Sequence, residues 1–441
     1  MEKNSLKYQT YVEILKKELV PAMGCTEPIA LAYCAAKARE VLGELPGRIE
    51  VEASGNIIKN VKSVVVPNTG GQRGIEAAVG IGILAGDAAK ELEVLSSVTR
   101  EKKEQLPAYL NQVKIQVEPA QSGYLLDIQV RVYGAEAKAS VRIAGKHTNI
   151  IRVEKNGEVL LDREAESTDK REEAAEGEMS QREKRCGEPD YSLLNVEDIC
   201  AFAQCADLED VREILERQIS YNTAISEEGF QGDYGANIGS VLLKSYGDSV
   251  KNRAKARAAA GSDARMNGCE LPVVINSGSG NQGMTVSLPV LEFAKELGSS
   301  QEDILRALII SNLTAIHQKT GIGSLSAYCG AVSAGAGAGA GIAYLRGGRY
   351  REIAHTIVNT LAITSGIICD GAKASCAAKI ATAVDAGILG YDMYLEGQQF
   401  YGGDGVVSKG VENTIKNIGR LGRDGMRETD REILHIMTCV D

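Results

Sequence analysis

Residues 324–345 carry no charged side chain, and most of them are Ala, Gly or Ser. A helix of such small residues has no polar face for water and lets neighbouring helices approach closely. Its length would also suit a transmembrane helix. We favour a buried central helix, because Leu and Ile are scarce in the segment and the chain has no Trp to anchor a membrane interface.

The charge balance and the aromatic content exclude several classes of partner. The chain has 441 residues, enough for two or three domains, and 49 Lys and Arg against 59 Asp and Glu leave a net charge of −10. An acidic chain with 5% aromatic residues offers little to nucleic-acid phosphates or bases. The first ten residues are polar and lack the apolar stretch of a signal peptide. We therefore expect a cytoplasmic protein with reduced cysteines, no nucleic-acid partner and no membrane span.

Two kinds of periodicity predict an α+β fold, largely helical. Strand patterns occur at 49–54, 61–66, 113–117, 125–133, 137–143, 149–153 and 271–275, and those from 113 to 153 predict an antiparallel meander. Helical patterns occur at 8–20, 28–43, 75–93, 283–298, 301–316, 324–345, 350–368 and 374–389. We predict a smaller α+β domain at 44–162, a helical catalytic domain formed by 1–43 and 190–441, and a charged linker at 163–189.

The motif Gly278-Ser-Gly-Asn-Gln-Gly283 has the G-x-G-x-x-G pattern of dinucleotide-binding folds. The acid expected about 20 residues later would be Glu302 or Asp303, but residues 299–303 have the pattern of a helix N-cap and first turn. No second strand follows, so the motif does not favour NAD. It predicts a turn at a helix N-terminus that binds a small carboxylate, and the candidate donors are Ser277, Ser279, Asn281 and Gln282.

Three cysteines in the helical part, Cys329, Cys369 and Cys376, admit three interpretations. On one unbroken helix Cys369 and Cys376 would lie roughly 10 Å apart along the axis, but Asp370-Gly371 favours a turn between them. The glycines after Cys329 leave room for a bulky group, so the three thiolates could hold an iron–sulfur cluster with one open iron. A three-cysteine zinc site and three small core residues are the alternatives. Cysteines expected to pack in apolar surroundings are Cys34, Cys200, Cys205, Cys269 and Cys439.

Cys25 precedes a helix predicted to begin near Pro28. A helix N-terminus stabilises a thiolate, so Cys25 is a candidate base or nucleophile. The alternative is that Thr26 or Glu27 caps the helix while Cys25 packs beneath it. Three other side chains are candidates for the substrate. His317 is a candidate orienting group. Lys319 and Arg265 could pair with a carboxylate, but we expect both to be surface or structural residues.

Taken together, the motifs resemble those of the L-cysteine desulfidase family, a relative of the iron–sulfur L-serine dehydratase α chains. The similar segments, which span nearly the whole chain outside 162–190, are Pro21-Ala-Met-Gly-Cys-Thr-Glu-Pro28, Ser54-Gly-Asn-Ile-Ile-Lys-Asn60, Ser277-Gly-Ser-Gly-Asn-Gln-Gly283, Tyr328-Cys-Gly330 and Cys369-Asp-Gly-Ala-Lys-Ala-Ser-Cys376. The resemblance implies a [4Fe–4S] lyase that converts L-cysteine to pyruvate, ammonia and sulfide without pyridoxal phosphate. It places the cluster ligands at Cys329, Cys369 and Cys376 and the base at Cys25.

With that activity, donors in two glycine-containing loops are expected to hold the substrate carboxylate. They are Asn68, Thr69 and Gly70 in the first loop, and Ser277, Gly278, Ser279, Gly280, Asn281 and Gln282 in the second. Two other functions stay open: an L-serine dehydratase that uses the same cluster, and a non-catalytic protein that binds a small amino acid. A homo-oligomer is compatible with each of them.

Overall fold

The computed structural model describes residues 1–163, 189–323 and 325–438. The helices are α1 (Leu6–Glu18), α2 (Thr26–Leu42), α3 (Gly55–Val61), α4 (Gly74–Ala85), α5 (Arg100–Gln112), α6 (Val196–Cys205), α7 (Arg212–Gln231), α8 (Ile238–Tyr246), α9 (Val250–Met266), α10 (Gly280–Leu297), α11 (Gln301–Ile322), α12 (Gly330–Leu345), α13 (Tyr350–Thr364), α14 (Cys376–Leu395), α15 (Val411–Arg420) and α16 (Arg427–Thr438). The strands are β1 (Pro21–Met23), β2 (Arg48–Ala53), β3 (Lys114–Pro119), β4 (Asp127–Tyr133), β5 (Lys138–Ala144), β6 (Ile150–Lys155), β7 (Glu158–Asp162) and β8 (Pro272–Val274). The predicted α+β class with a helical bulk is confirmed.

The larger sheet has the strand order β3-β2-β4-β5-β6-β7. From β4 to β7 it is the predicted antiparallel meander, but β2 lies between β3 and β4 and pairs with β3 in parallel. Buried and more exposed residues alternate along β2. Ile49 and Val51 are buried beside Val132 and Val130 of β4 on the face that α2 covers, and this burial stabilises β2 next to β4. A second, two-stranded sheet pairs β1 with β8 and brings the segment before Cys25 next to the one before Ser277.

The strand predicted at 61–66 is wrong. Residues 55–61 form α3, and Val65 makes only an isolated bridge with Arg73. The β-branched run is apolar because its side chains are buried: Val64 packs against Cys25 and Met266. Burial in a loop between packed elements therefore produced a strand-like pattern.

Among the elements without a counterpart in the predicted segments, α3, α5 and β7 lack a clear apolar period. Helix α5 buries only Leu106, and α3 spans just seven residues. Strand β7 is exposed except for the half-buried Leu161. Periodicity predicts elements that bury one regular face, and these do not.

The predicted central helix is α12, which packs against α10, α11, α13 and α14. It begins at Gly330, six residues later than predicted, and the residues from Ala331 to Ala343 are all buried. Close approach explains its composition: a Cβ on Gly335 would overlap the carbonyl oxygen of Ala383 in α14, and a Cβ on Gly387 would overlap that of Gly335. Within the described residues, no helix is both long and apolar enough to span a bilayer.

We expect Gly337→Ala to lower the free energy of unfolding by about 2 kcal/mol. A Cβ at this position would overlap the carbonyl oxygen of Ser311 in α11, and backbone cannot rotate away. Gly321→Ala is the matched control, because it is also helical and its Cβ would find its nearest neighbour, Gly419 Cα, at 3.4 Å. Urea denaturation of both variants tests this, and equal stabilities would contradict it.

Two hydrophobic clusters form the core. One joins α1 to the helices from α6 to α15, and the other joins α2 and α4 to the larger sheet. The domain division at 44–162 stays a prediction, although α2, assigned to the helical domain, packs against β4 and β5. Of the predicted linker 163–189, residues 164–188 lie outside the described residues.

Candidate functional site

Four helix N-termini converge on one region. Cys25 occupies the N-cap position of α2, Ser279 that of α10, and Cys329 that of α12, while Cys376 is the first residue of α14. The predicted helix start next to Cys25 is therefore confirmed. Each N-terminus carries a partial positive charge from unpaired backbone N–H groups. A region built in this way favours anions and thiolates.

Direct contacts join the four N-termini. Thr26 Oγ1, at the start of α2, donates a hydrogen bond of 2.9 Å to the carbonyl oxygen of Gly278 before α10. The amide of Gln282 in α10 lies against Gly330, where a Cβ would come within 2.7 Å of it. Cys25 and Cys376 share an apolar cluster with Val64, Met266 and Ala372.

Cys329 and Cys369 are aligned by a short antiparallel bridge. Tyr328 pairs with Ile368, the Cys369 N–H donates to Ala327 O at 2.6 Å, and the Cys329 N–H donates to Ile367 O at 3.2 Å. Burial, followed by the nearby Cys369 and Cys376, raises the pKa of Cys329 to about 12. The bridge aligns Cys329 with Cys369, and the effects of Cys369 and Cys376 on the pKa of Cys329 indicate that the three cysteines lie near one another.

A helix break brings Cys376 to this site, as the Asp370-Gly371 dipeptide predicts. Helix α13 ends at Thr364 and α14 starts at Cys376. Gly371 has φ 94°, and a Cβ there would overlap the carbonyl oxygen of Lys59. Asp370 also forms ion pairs with Lys373 (2.5 Å) and Lys379. These contacts hold the turn that separates the two cysteines.

The three thiols fit an iron–sulfur cluster by their chemistry. All three are free cysteines, and thiolates are soft ligands that suit iron–sulfur clusters, zinc or copper rather than hard cations. Among the described residues, no group of three His, Cys, Asp or Glu has the spacing to hold a single metal ion. In a cluster, different cysteines bind different irons.

Cys25 is buried, and its Sγ donates a hydrogen bond of 3.2 Å to Glu27 Oε2. Burial and, next, the Glu27 charge raise the pKa of the thiol well above its usual value, while Arg265 acts in the opposite direction. Desolvation therefore opposes the stabilisation that the N-terminus of α2 is expected to give the Cys25 thiolate.

Glu27 is a buried carboxylate with a partner for each oxygen. Oε2 accepts from Cys25 Sγ and from Thr26 Oγ1 (3.1 Å), and Oε1 accepts from Asn60 Nδ2 (2.9 Å). His147 Nε2 lies 3.9 Å from Oε1. Burial alone would raise the pKa of Glu27, but the interactions with His147 and Cys25 outweigh burial and lower it to about 2. Sequence analysis missed His147, since no local pattern marks it.

Two cations face the site from buried positions. Lys319 in α11 is 7% exposed, and burial lowers its pKa although Cys369, Cys329 and Glu27 act in the opposite direction. Arg265 in α9 is 2% exposed, and its Nη1 donates to Asn281 Oδ1 at 3.2 Å. Of the two alternatives, surface or structural, burial excludes the surface position for both residues, because both helices turn these side chains inward.

In the first predicted substrate loop, the side chains bind their own surroundings. Asn68 Nδ2 donates to Leu95 O (2.9 Å) and Thr69 Oγ1 to Val66 O (2.6 Å), and both residues are buried. Gly70 is exposed, with φ 71°. The loop lies against the segment before Cys25, where Pro67 packs on Gly24 and Asn68 Nδ2 is 3.6 Å from Met23 Sδ. Substrate binding by Asn68, Thr69 and Gly70 stays a prediction. Because the side chains of Asn68 and Thr69 already have hydrogen-bond partners, we expect the backbone groups of the loop to bind the substrate.

The second predicted loop lies inside the site. Ser277 Oγ donates to Asn276 Oδ1 at 3.0 Å, and Ser279 exchanges backbone hydrogen bonds with the same residue. Gln282 is 5% exposed, and its Oε1 has no hydrogen-bond partner. This oxygen is free to accept from a ligand.

The three glycines of the motif have structural roles that do not involve a dinucleotide. Gly278 has φ 77° in the turn. A Cβ on Gly280 would overlap the Arg265 guanidinium, and one on Gly283 would overlap the carbonyl oxygen of Val274. As predicted, Glu302 and Asp303 lie in the first turn of α11, whose N-cap is Ser300.

The remaining candidates lie away from this chemistry. His317 Nε2 is 2.7 Å from Glu412 Oε2, a hydrogen bond that gives His317 a structural partner instead of a substrate. Cys34, Cys200 and Cys269 are buried as expected, but Cys205 is exposed, because it lies in the last turn of α6. Cys439 lies outside the described residues.

Comparison with known proteins finds one matching family and several relatives that cover nearly the whole chain. Residues 89–435 match the family described as serine dehydratase alpha chain. The chain is 58% identical over 437 residues to the UPF0597 protein of Desulfitobacterium hafniense, covering 99% of this chain and 98% of that protein. It is 55% identical over 430 residues to the UPF0597 protein of Lachnoclostridium phytofermentans (98% and 99% covered), and 38% identical over 433 residues to that of Bacteroides thetaiotaomicron (97% of each). The relatives therefore span the segment with Cys25 as well as the three later cysteines.

Proposed function

The chain belongs to the serine dehydratase alpha chain family, and from this premise we propose that it eliminates the β-substituent of L-cysteine to give pyruvate, ammonia and sulfide. One observation carries the proposal: free cysteines lie at the N-termini of α12 and α14, Cys369 is bridged to the segment before α12, and the thiol of a fourth, Cys25, is hydrogen-bonded to a buried carboxylate. Three thiols suffice to bind a cluster and leave one iron open, and the fourth can then act on the substrate.

Cys329, Cys369 and Cys376 would hold the [4Fe–4S] cluster. When bound, such a cluster supplies a Lewis-acidic, thiophilic iron that stabilises a departing sulfide. The four converging helix N-termini favour the negative charge of the thiolates, which offsets part of the desolvation that raises the pKa of Cys329 and Cys376. No pyridoxal phosphate takes part in the proposal.

Cys25 would remove the Cα proton. Its thiol proton must leave first, and Glu27 Oε2 at 3.2 Å is the atom that accepts the thiol hydrogen bond. His147, 3.9 Å from the other Glu27 oxygen, is the next titratable group along that route. The positive charge of Arg265 favours the thiolate form of Cys25.

The bond changes balance without a further co-reactant. The Cα–H proton goes to Cys25 Sγ, the electron pair forms the Cα=Cβ double bond, and the Cβ–S pair leaves with the sulfide. The resulting enamine tautomerises to an imine, which water hydrolyses to pyruvate and ammonia. Gln282 Oε1, buried and without a partner, can accept a hydrogen bond from the substrate ammonium group.

L-Serine is the second candidate substrate, and the description of the matched family favours it. The same residues would remove the Cα proton, and hydroxide would leave in place of sulfide. The two candidates differ only in the leaving group, so a comparison of the two substrates decides between them.

The test is a parallel assay of the anaerobically reconstituted protein on L-cysteine and L-serine. We expect about four irons per chain, pyruvate from L-cysteine, and an equal amount of sulfide. Faster pyruvate formation from L-serine would assign the dehydratase function. A full cluster whose spectrum responds to L-cysteine without pyruvate formation would identify a binding protein and overturn the proposal.

A further inference from the structure

We propose that Arg265, together with Asn281 at the N-terminus of α10, binds the carboxylate of the small amino-acid substrate. This inference rests on the proposed function, since it names the group that anchors the same substrate.

Arg265 is a buried cation without an acidic partner among the described residues. Its side chain is 2% exposed, its Nε has no hydrogen-bond partner, and its one hydrogen bond to a described residue is that from Nη1 to Asn281 Oδ1. Arg253, three turns earlier on α9, is 27% exposed and forms ion pairs with Asp248, Glu292 and Glu296. A charge buried without compensation is unfavourable, so a site of this kind is complete only with an anion.

The surroundings of the guanidinium strengthen the need for an anion. It lies against Gly280, the first residue of α10, where any Cβ would overlap it. The N-terminus of α10 is itself positive, so two like charges face each other. An anion bound next to both groups would neutralise them and would accept hydrogen bonds from each.

The position of Arg265 near Cys25 indicates that this anion is the carboxylate of an amino acid. Arg265 is near enough to Cys25 to lower the pKa of its thiol, and Met266 packs against Cys25. In an amino acid the carboxylate is bonded to Cα, the atom whose proton Cys25 would remove. A guanidinium that binds the two oxygens in parallel would also fix the direction in which the Cα–H bond points.

The experiment measures binding without turnover. L-Alanine carries the same carboxylate and ammonium groups but has no leaving group, and L-alaninamide lacks the carboxylate. By calorimetry on the reconstituted protein we expect binding of L-alanine but not of L-alaninamide. Arg265→Gln should weaken L-alanine binding by about 10- to 100-fold, and Arg265→Lys by less. The matched control, Arg253→Gln, should leave the affinity unchanged.

Thermal unfolding of the ligand-free variants separates binding from a structural role. If Arg265 serves a ligand, Arg265→Gln removes an uncompensated charge and leaves the melting temperature equal or higher. A fall of several degrees, unchanged L-alanine affinity in Arg265→Gln, or binding of inorganic phosphate but not of L-alanine would each overturn the inference. Arg265-dependent binding of L-alanine in a protein that forms no pyruvate would overturn only the proposed function.

Discussion

Replacing Cys25 by serine will reduce pyruvate formation by about 10³-fold or more while the iron content stays that of the wild type. A serine hydroxyl keeps the hydrogen bond to Glu27 but is a far weaker acid than a thiol, so it cannot supply the base. Iron is retained because the three cluster cysteines are unchanged. The measurements are pyruvate formation from L-cysteine and iron per chain after identical reconstitution.

Cys34→Ser is the matched control for this variant. Cys34 lies on the same helix α2, is fully buried, and its thiol donates to Val141 O at 3.3 Å, a bond that a hydroxyl can replace. We expect it to keep both iron and activity. Loss of iron from Cys25→Ser would make Cys25 a ligand, and wild-type activity would exclude it as the base.

Replacing any one of Cys329, Cys369 and Cys376 by alanine will lower iron to background and abolish pyruvate formation. Each thiol is expected to bind a different iron, so two remaining ligands leave the cluster open to solvent and loss. Iron and acid-labile sulfide after reconstitution, together with the visible absorption band, measure the effect. Circular dichroism confirms that each variant has folded.

The control for the ligand set is Cys200→Ala. Cys200 is a free cysteine in α6, buried like Cys329, and packs in the cluster of α1 and the later helices. It should keep its iron and its activity. Full iron content in any one of the three ligand variants would remove that cysteine from the set.

Local chemistry in the sequence was sufficient to place Cys25 and Cys376 at helix starts, whereas the predicted helix 324–345 put Cys329 inside a helix instead of at its N-cap. The Asp370-Gly371 dipeptide forms a turn before Cys376, where α14 starts. Cys25 occupies the N-cap position of α2. A helix start or stop depends on residues within one turn of it, so sequence contains that information. The α+β class and the central small-residue helix followed from periodicity and composition in the same way.

Burial and charge pairing depended on the tertiary structure. Glu27 meets His147, and Lys59 pairs with Asp430 at 2.5 Å across 371 residues of sequence. Such pairs are invisible to local patterns because their energy comes from segments that only the fold brings together.

The fold class and the helix starts next to Cys25 and Cys376 follow from the sequence alone, because caps, turns and periodicity act over a few residues. The burial of Arg265 and Lys319 and the raised pKa of the Cys25 thiol depend instead on the tertiary structure. The position of β2 between β3 and β4 likewise depends on the tertiary structure. The physical reason is that desolvation, long-range ion pairs and strand order depend on which distant segments cover a residue.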